Sequence, residues 1–233
     1  MSRRILIIGN SDAIGAAVTK VLVELGDRVV GVSRSRSPLA QPGLRHEIQD
    51  VASPQYRKLL SRLVLEEGGF DACIYCVGIG SPLKLFDLSN ETQVFEVNLK
   101  AMVETMEVLV PHWIEGKKGH FIGLSSLADG IYSPEAPSYS ASKAGFSNYL
   151  LSMALRLRGT GIAVTNIRFG FVDTKMAQSP SKPLMITPIA AARHVVKSLD
   201  GRPMQLSIPK LAAVGTWVVT CLNNLPPLAP AVP

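Results

Sequence analysis

Short apolar runs alternate with longer segments of helical periodicity along most of the chain, and this alternation restricts the fold more than any other feature. The apolar runs predict strands at Ile5–Ile8, Arg28–Ser33, Arg45–Ile48, Asp71–Val77, His120–Leu124, Ile162–Phe169 and Met204–Ile208. The segments between them predict helices at Ile14–Leu25, Ser53–Glu67, Asn90–Trp113, Ser138–Arg158 and Pro188–Leu199, with Ser53 and Thr187 as N-caps. This order favours an α/β fold, a doubly wound parallel sheet of about seven strands with helices on both faces.

Length and composition favour a single domain. The chain has 233 residues, 47% of them hydrophobic and 18% charged, which suits one sizeable core and excludes a disordered chain. We expect one domain over residues 1–225, with a substrate loop at about 174–187 and a Pro-rich tail at 226–233. The net charge of +6 would suit an anionic ligand, an anionic membrane or nucleic acid, but no run of five basic residues supports nucleic acid.

The cysteines argue for a reducing compartment, and we expect a cytoplasmic protein. Three cysteines, Cys73, Cys76 and Cys221, are too few for a disulfide scaffold in a chain of this length. Cys73 and Cys76 are three apart on a predicted strand and should face opposite sides of the sheet. No second pair and no histidine cluster accompanies them, so we predict no metal site.

A turn rich in small residues joins the first strand to the first helix. It consists of Gly9, Asn10, Ser11, Asp12, Ala13, Ile14 and Gly15. Small residues there let the backbone approach a pyrophosphate, to which the helix N-terminus offers N–H groups. The pattern departs from G-x-G-x-x-G, however, and an ordinary tight turn between strand and helix is the alternative.

Tyr139 and Lys143 are four residues apart on a predicted helix and therefore share one face. A nearby ammonium favours the phenolate and should lower the pKa of Tyr139 from its ordinary value of about 10. Ser126 follows a predicted strand, at the carboxyl edge of the sheet where ligands bind in open α/β folds. Its spacing makes Ser126, rather than Ser125, the expected partner of Tyr139. Together these residues predict general acid/base chemistry.

The chain resembles the short-chain dehydrogenase/reductase family. The residues that carry the resemblance follow the order and spacing of that family over most of the chain: the glycine turn, Asp50-Val51, Asn98, Ser125-Ser126, Tyr139–Ala144 and Gly170–Met176. The resemblance implies a single Rossmann-like domain and an oxidoreductase that uses NAD(P)(H). The chain departs from the family pattern at Tyr75–Gly78, where Asn-Asn-Ala-Gly is usual, and at Phe169, where proline is usual.

The resemblance also implies roles for individual residues. Tyr139 would transfer a proton to or from the substrate oxygen, Ser126 would hydrogen-bond that oxygen, and Lys143 would hold the nicotinamide ribose. Asn98 would help to order a relay water near Lys143. The remaining implied cofactor contacts are Asp50, Val51, Gly78, Gly170, Val172 and Thr174. Taken alone, Asp50 also fits a turn and Thr174 a helix cap.

The end of the second strand bears on the choice of dinucleotide. An acidic residue there would bind a ribose 2′-hydroxyl, but this chain has Ser33 and Arg34, with Arg36 nearby. A hydroxyl and a guanidinium suit a 2′-phosphate, so NADP(H) is favoured over NAD(H). Asp12 in the glycine turn argues the other way and leaves NAD(H) open.

The sequence thus favours an enzyme that reduces a ketone or aldehyde to an alcohol with NADPH. The alternative, motivated by the altered Tyr75–Gly78 and Phe169, is a non-catalytic dinucleotide-binding regulator or scaffold of the same fold. Partners should be a small carbonyl or alcohol substrate and, by resemblance, further copies of the chain in a homo-dimer or homo-tetramer. The apolar segment within 211–225 fits a core or oligomer helix better than contact with a membrane surface.

Overall fold

A parallel sheet of seven strands forms the centre of the protein, in a computed structural model that describes residues 2–39, 41–177, 181–212 and 214–215. The strands are β1 (Arg4–Ile8), β2 (Arg28–Ser33), β3 (Leu44–Ile48), β4 (Ala72–Tyr75), β5 (Gly119–Ser126), β6 (Ile162–Phe169) and β7 (Gln205–Ile208). Their spatial order is β3-β2-β1-β4-β5-β6-β7. The chain winds outward from β1 in one direction and then in the other, so the point where the strand order reverses, at which such sheets bind ligands, lies at the carboxyl ends of β1 and β4.

Helices cover both faces of the sheet. They are α1 (Ala13–Glu24), α2 (Tyr56–Glu67), α3 (Glu91–Phe95), α4 (Ala101–Gly116), α5 (Pro137–Arg156) and α6 (Pro188–Gly201). The apolar side chains of α2, α4 and α5 pack on one face and those of α1 and α6 on the other. The predicted doubly wound Rossmann-like fold is thereby confirmed.

Strand β1 shows why the apolar runs are continuous rather than alternating. Each residue of Ile5–Ile8 is fully buried. Leu6 and Ile8 enter the core beneath α2, α4 and α5, whereas Ile5 and Ile7 enter the core beneath α1 and α6. A strand that is covered on both faces has no solvent-facing position for a polar residue.

Of the two predicted N-caps, Thr187 is confirmed and Ser53 is not. Thr187 caps α6, and its hydroxyl accepts a hydrogen bond from the N–H of Ala190 at 3.3 Å. Ser53 does not cap α2, which begins three residues later at Tyr56. The Ser53 side chain instead closes a local turn, in which its hydroxyl accepts from the N–H of Gln55 at 3.3 Å. Serine and threonine favour both arrangements, so the first turn of a helix is hard to place from sequence.

The helix predicted at 90–113 is continuous but irregular. A π-helical turn over Glu96–Lys100 separates α3 from α4. Turns of this kind insert an extra residue and re-aim the side chains around them, and they are frequent at functional sites.

The two cysteines of β4 and its end lie on opposite sides of the sheet, as strand alternation predicts. Cys73 packs in the core beneath α2, α4 and α5, and Cys76 packs against the core beneath α1 and α6. The third, Cys221, and the Pro-rich tail lie outside the described residues, as does most of the 211–225 segment. In the part of the chain that the structure describes, no helix is both long enough and apolar enough to span a membrane.

Candidate active site

Three side chains meet at the carboxyl edge of the sheet, beyond β5. Ser126 ends β5, and its Oγ accepts a hydrogen bond from the N–H of Ala128 at 3.1 Å, which starts a 3₁₀ helix over Leu127–Gly130. Tyr139 lies in the first turn of α5, and its phenol is near enough to Ser126 for that side chain to lower the pKa of the phenol. Lys143 follows one turn later, with Nζ 6.0 Å from the centre of the Tyr139 ring. The predicted Ser126, Tyr139 and Lys143 are therefore neighbours in space.

The Lys143 ammonium is buried, and few hydrogen bonds or opposite charges compensate for its loss of hydration. The residue is only 4% exposed, and burial lowers its pKa to about 8, although the carboxylate of Asp129 partly opposes this effect. Nζ donates to the carbonyl of Leu124 at 2.9 Å and lies 4.9 Å from the centre of the Phe146 ring. That carbonyl is its one hydrogen-bond acceptor among the described residues, so further N–H groups of Lys143 can serve a ligand.

The pKa of Tyr139 differs from the expectation. Burial raises it, the side chain of Ser126 lowers it, and the carboxylate of Asp129 raises it further, so that the pKa lies above its ordinary value. The expected lowering by Lys143 is not found. The reason is that burial lowers the pKa of Lys143 to about 8, so the amine is already neutral at the pH where the Tyr139 phenol ionises. Without a ligand, Tyr139 is therefore a protonated hydroxyl at neutral pH.

Asn98 connects the π-helical turn to the loop after β4. It is fully buried, and its Oδ1 accepts from the N–H of Ile79 at 2.7 Å while its Nδ2 donates to the carbonyl of Ile79 at 2.8 Å. Nδ2 also donates to Oγ of Ser142 on α5 at 3.0 Å. The neighbouring Gly78 is thereby placed beside Lys143, since a Cβ on Gly78 would lie 3.3 Å from Nζ. Protein groups thus occupy the Asn98 amide, and the water that it was expected to order stays a prediction.

The glycine turn requires its two glycines. Gly9 has φ +91°, in the left-handed region, and a Cβ on it would lie 2.8 Å from Cγ2 of Val77. A Cβ on Gly15 would lie 1.8 Å from the carbonyl oxygen of Gly9, which no side chain could relieve. Ala13 takes the left-handed conformation between them, with φ +48°. The turn is therefore built for close backbone approach at the N-terminus of α1.

The polar side chains of the glycine turn are directed to several partners. Asp12 is the N-cap of α1, with Oδ1 accepting from the N–H of Ala13 at 2.7 Å. Ser11 accepts from the hydroxyl of Ser35 at 3.0 Å, and Ile14 packs against the core beneath α1 and α6. Asn10 is fully buried, and its Nδ2 has no hydrogen-bond partner among the described residues.

The end of β2 carries a buried hydroxyl group, that of Ser33, followed by two exposed guanidinium groups, those of Arg34 and Arg36. Ser33 is buried and donates to Oδ1 of Asn10 at 3.1 Å and to the carbonyl of Ser35 at 3.2 Å, so its proton already has acceptors. Arg34 and Arg36 are exposed, and neither side chain has an ion pair within the described part of the chain. A phosphate at this edge would therefore meet the two guanidinium groups rather than the serine.

The other predicted cofactor residues line the same edge with less distinct geometry. Asp50 is exposed and accepts from the N–H of Ala52 at 2.9 Å, as a turn residue does, and Val51 beside it is buried. Val172 is buried and bridges Ile186 in parallel, which closes the loop after β6. The remaining two are Gly170, whose N–H donates to the carbonyl of Ile208 at 2.8 Å, and Thr174, whose carbonyl accepts from the N–H of Ala177 at 3.0 Å. Residues 178–180 of this loop lie outside the described residues.

Two residues of this region were not anticipated from the sequence. Asp129 sits in the 3₁₀ helix directly after Ser126, and Arg168 pairs with it from β6. A signal was available, because Arg168 interrupts an apolar strand run, and a charge on a buried strand requires a buried partner.

The residues present fit a nicotinamide dinucleotide. The glycine turn allows backbone approach, the buried ammonium of Lys143 has donors to spare, and the exposed guanidinium groups stand at the end of β2. An open parallel sheet with such a turn after its first strand defines the class of dinucleotide-binding α/β proteins.

Comparison with known proteins identifies the family. Residues 3–184 match the family model of short chain dehydrogenases, and the chain belongs to that family of oxidoreductases. An uncharacterized oxidoreductase of Myxococcus xanthus is 30% identical over 241 residues, covering 95% of this chain and 93% of its relative.

Solved structures agree on the fold. A short-chain dehydrogenase from Streptomyces avermitilis superposes with a TM-score of 0.83 at 19% identity, covering 96% of this chain and 93% of the other. A 4-hydroxyisoleucine dehydrogenase complexed with NADH gives a TM-score of 0.81 at 21% identity, covering 89% of this chain and 97% of the other.

Proposed function

We propose that this protein reduces a ketone or an aldehyde to an alcohol with NADPH, and that Tyr139 donates the proton. The observation that carries the proposal is the grouping of three side chains: Ser126 lies near enough to lower the pKa of the Tyr139 phenol, and the buried ammonium of Lys143 lies 6.0 Å from the centre of the Tyr139 ring. These groups stand where the carboxyl ends of the strands and the glycine turn would present a dinucleotide.

The bound dinucleotide would supply a hydride to the carbonyl carbon. The chain itself has to hold the carbonyl oxygen and give it a proton. Ser126 Oγ and the Tyr139 phenol would bind that oxygen atom together. Lys143 would use its spare N–H groups to hold the ribose beside them. Negative charge that develops on the oxygen is then met by two hydroxyl donors.

The raised pKa of Tyr139 supports the reductive direction. A proton donor must carry its proton at the working pH, and Tyr139 does so at neutral pH in the free protein. Oxidation of an alcohol would require the phenolate, which burial and the carboxylate of Asp129 both disfavour. Reduction therefore begins from the protonation state that this site already has.

The catalytic proposal is tested with NADPH and a panel of ketones and aldehydes, by following the loss of NADPH absorbance. Tyr139→Phe should lower kcat/KM by about 10²–10⁴-fold, because it removes the proton donor and leaves the ring. Tyr149→Phe, ten residues further along the same helix, is the matched control and should retain activity. Turnover that persists in Tyr139→Phe would overturn the assignment.

We assign NADP(H) as the preferred dinucleotide on the two exposed guanidinium groups at the end of β2. Arg34→Ala should weaken NADPH binding by about tenfold or more and leave NADH binding nearly unchanged, because only NADPH carries the 2′-phosphate. Arg156→Ala, an exposed arginine at the far end of α5, is the control. NAD(H) remains the alternative, since the 4-hydroxyisoleucine dehydrogenase structure contains NADH. If the protein binds NADH several-fold more tightly than NADPH, NAD(H) is the preferred dinucleotide and the assignment is wrong.

The substrate is proposed to be a small carbonyl compound that is apolar or anionic. Members of the family typically act on small molecules. In the described part of the substrate loop, Met176, Leu184 and Met185 are exposed apolar side chains near Val172. Lys175 and Lys182 are the cations of this loop, although Lys175 contacts Asp12 at 3.4 Å. Turnover should therefore favour apolar ketones and keto acids over cationic carbonyl compounds in the same panel.

A non-catalytic regulator or scaffold is the second candidate, because Tyr75 and Phe169 replace residues usual in the family. It predicts NADPH binding without turnover and an effect on a partner protein that survives Tyr139→Phe. The structure weighs against a degraded site, since the Tyr75 phenol donates to the carbonyl of Val97 at 2.8 Å and so braces the π-helical turn beside Asn98. We favour the enzyme for this reason. A homo-dimer or homo-tetramer stays a prediction, which light scattering tests.

A further inference from the structure

A largely buried ion pair lies next to the proposed catalytic residues. Arg168 Nε donates to both carboxylate oxygens of Asp129, at 2.9 and 2.8 Å, and Arg168 Nη2 donates to Oδ1. The two side chains are only 18% and 5% exposed, respectively. Asp129 belongs to the 3₁₀ helix that Ser126 caps, and Arg168 lies on β6 opposite Ser125 in the sheet register.

This pair is the centre of a larger polar network. The hydroxyl of Ser147 on α5 donates to Asp129 Oδ2, and it shares a hydrogen bond of 2.8 Å with the hydroxyl of Ser125. On the other side, Arg168 Nη1 donates to Oγ of Ser207 on β7 at 3.3 Å. One network thus joins β5, the 3₁₀ helix, α5, β6 and β7 at the edge that carries Ser126 and Tyr139.

Stability alone does not account for such a pair. Desolvation of two charges offsets most of their attraction, and an apolar pair of similar volume often stabilises a protein as well or better. Specific positioning is a better explanation here, because several hydrogen bonds fix the orientation of both groups. The residues held in place are those on which the proposed reaction depends.

We propose that the Asp129–Arg168 pair is a positioning element of the active site, which holds the turn after Ser126 against α5 and sets the charge balance next to Tyr139 and Lys143. This inference rests on the proposed function for its role in turnover. Its structural and electrostatic part concerns the protein alone and can be tested without a substrate.

The charge balance follows from the groups that surround Tyr139 and Lys143. Asp129 raises the pKa of both, in each case as a smaller effect than burial. Cys76 also faces Lys143, and burial raises the pKa of its thiol to about 12, so it is uncharged at neutral pH. Lys143 has a pKa of about 8 and is neutral where the phenol ionises, so the charge that acts on the phenol is the carboxylate of Asp129, which Arg168 partly neutralises.

Removal of Asp129 and removal of Arg168 should therefore shift the pKa of Tyr139 in opposite directions. Asp129→Asn leaves the guanidinium uncompensated and favours the phenolate, so Tyr139 should titrate at lower pH. Arg168→Met leaves the carboxylate uncompensated, so Tyr139 should titrate at higher pH. The double variant loses both charges and should titrate closer to the parent than either single variant.

The measurement is an ultraviolet difference titration of phenolate, in which each variant is compared with the same variant carrying Tyr139→Phe. Asp27→Asn, which breaks the buried pair of Asp27 with Arg3 at the opposite edge of the sheet, is the matched control. It should lower stability without moving the titration of Tyr139. If Arg168→Met does not fold, Arg168→Lys retains the charge and should titrate like the parent.

Shifts in opposite directions support the proposal, whereas equal shifts or none, with a stability loss like that of Asp27→Asn, overturn it. Where the parent turns over a substrate, each single variant should lower kcat/KM by about tenfold, since small displacements at a reacting centre are costly. A parent without turnover would count against the proposed function, while the titration would still decide on the ion pair.

Discussion

A Cβ on Gly80 would lie 2.7 Å from Cδ2 of Tyr139, so the bare backbone of the loop after β4 packs against the tyrosine ring. The same loop places Gly78 beside Lys143, and Asn98 holds the intervening Ile79 through both its N–H and its carbonyl. Residues 78–80 are thus a wall of the site, and its two glycines each adjoin one of the proposed catalytic side chains.

Gly80→Ala should displace the ring of Tyr139, because the added methyl group meets it well inside van der Waals contact. We expect kcat/KM to fall by about tenfold or more, since a displacement of about 1 Å can cost 10²-fold. Gly116→Ala, at the end of α4 with nothing within 4 Å of the new Cβ, is the control and should be fully active. Equal activity of both variants would contradict the contact.

Asn98→Ala should destabilise the protein. It leaves both backbone polar groups of Ile79 and the hydroxyl of Ser142 short of a partner in a buried region. We expect the free energy of unfolding to fall by about 2–4 kcal/mol in urea denaturation. Asn90→Ala is the comparison, because Asn90 precedes α3 without a side-chain capping bond and should cost little. A similar small loss for Asn98→Ala would refute the proposed bracing.

The glycine turn should tolerate substitution unevenly. Gly15→Ala brings a methyl group against the carbonyl of Gly9, so we expect a loss of at least about 2 kcal/mol and of dinucleotide binding. Ala13→Gly should change stability by less than about 1 kcal/mol, because relief of the left-handed strain at φ +48° offsets the added freedom of the unfolded chain. Thermal melts with and without NADPH measure both, and a severe loss in Ala13→Gly would contradict this reading of the turn.

Lys143→Met should abolish turnover but stabilise the free protein at pH 7. Burial lowers the pKa of Lys143 from 10.5 to about 8, a difference worth about 3 kcal/mol, and loss of the bond to Leu124 reduces the gain to about 2 kcal/mol.

The pH dependence of that gain follows from linkage. Between about pH 8 and 10.5 the unfolded parent binds the Lys143 proton and the folded parent does not, so the stability of the parent rises with pH in this window. The advantage of Lys143→Met should therefore shrink as the pH rises. Lys58→Met, at an exposed position on α2, should show no such trend in urea denaturation at several pH values. A gain that stays constant across the window would count against a buried charge on Lys143.

Much of the fold and of the candidate site follows from local patterns. Continuous apolar runs such as Ile5–Ile8 identify strands that are covered on both faces, because such strands need no polar side. The spacing of Tyr139 and Lys143 puts them on one helix face, and the position of Ser126 after β5 puts it at the same edge. The start of α2 was misplaced because Ser53 closes a turn instead of capping the helix.

The sequence by itself determined the alternation of strands and helices, the glycine turn at the first helix and the shared face of Tyr139 and Lys143, since each depends on backbone geometry over a few residues. Only the tertiary structure decided that Lys143 turns to the carbonyl of Leu124, that Asn98 braces the loop beside it, and that Asp129 neutralises Arg168 across 39 positions of sequence. The physical reason is that buried charges and amides take whichever partner the fold brings near them, and no local periodicity records that choice.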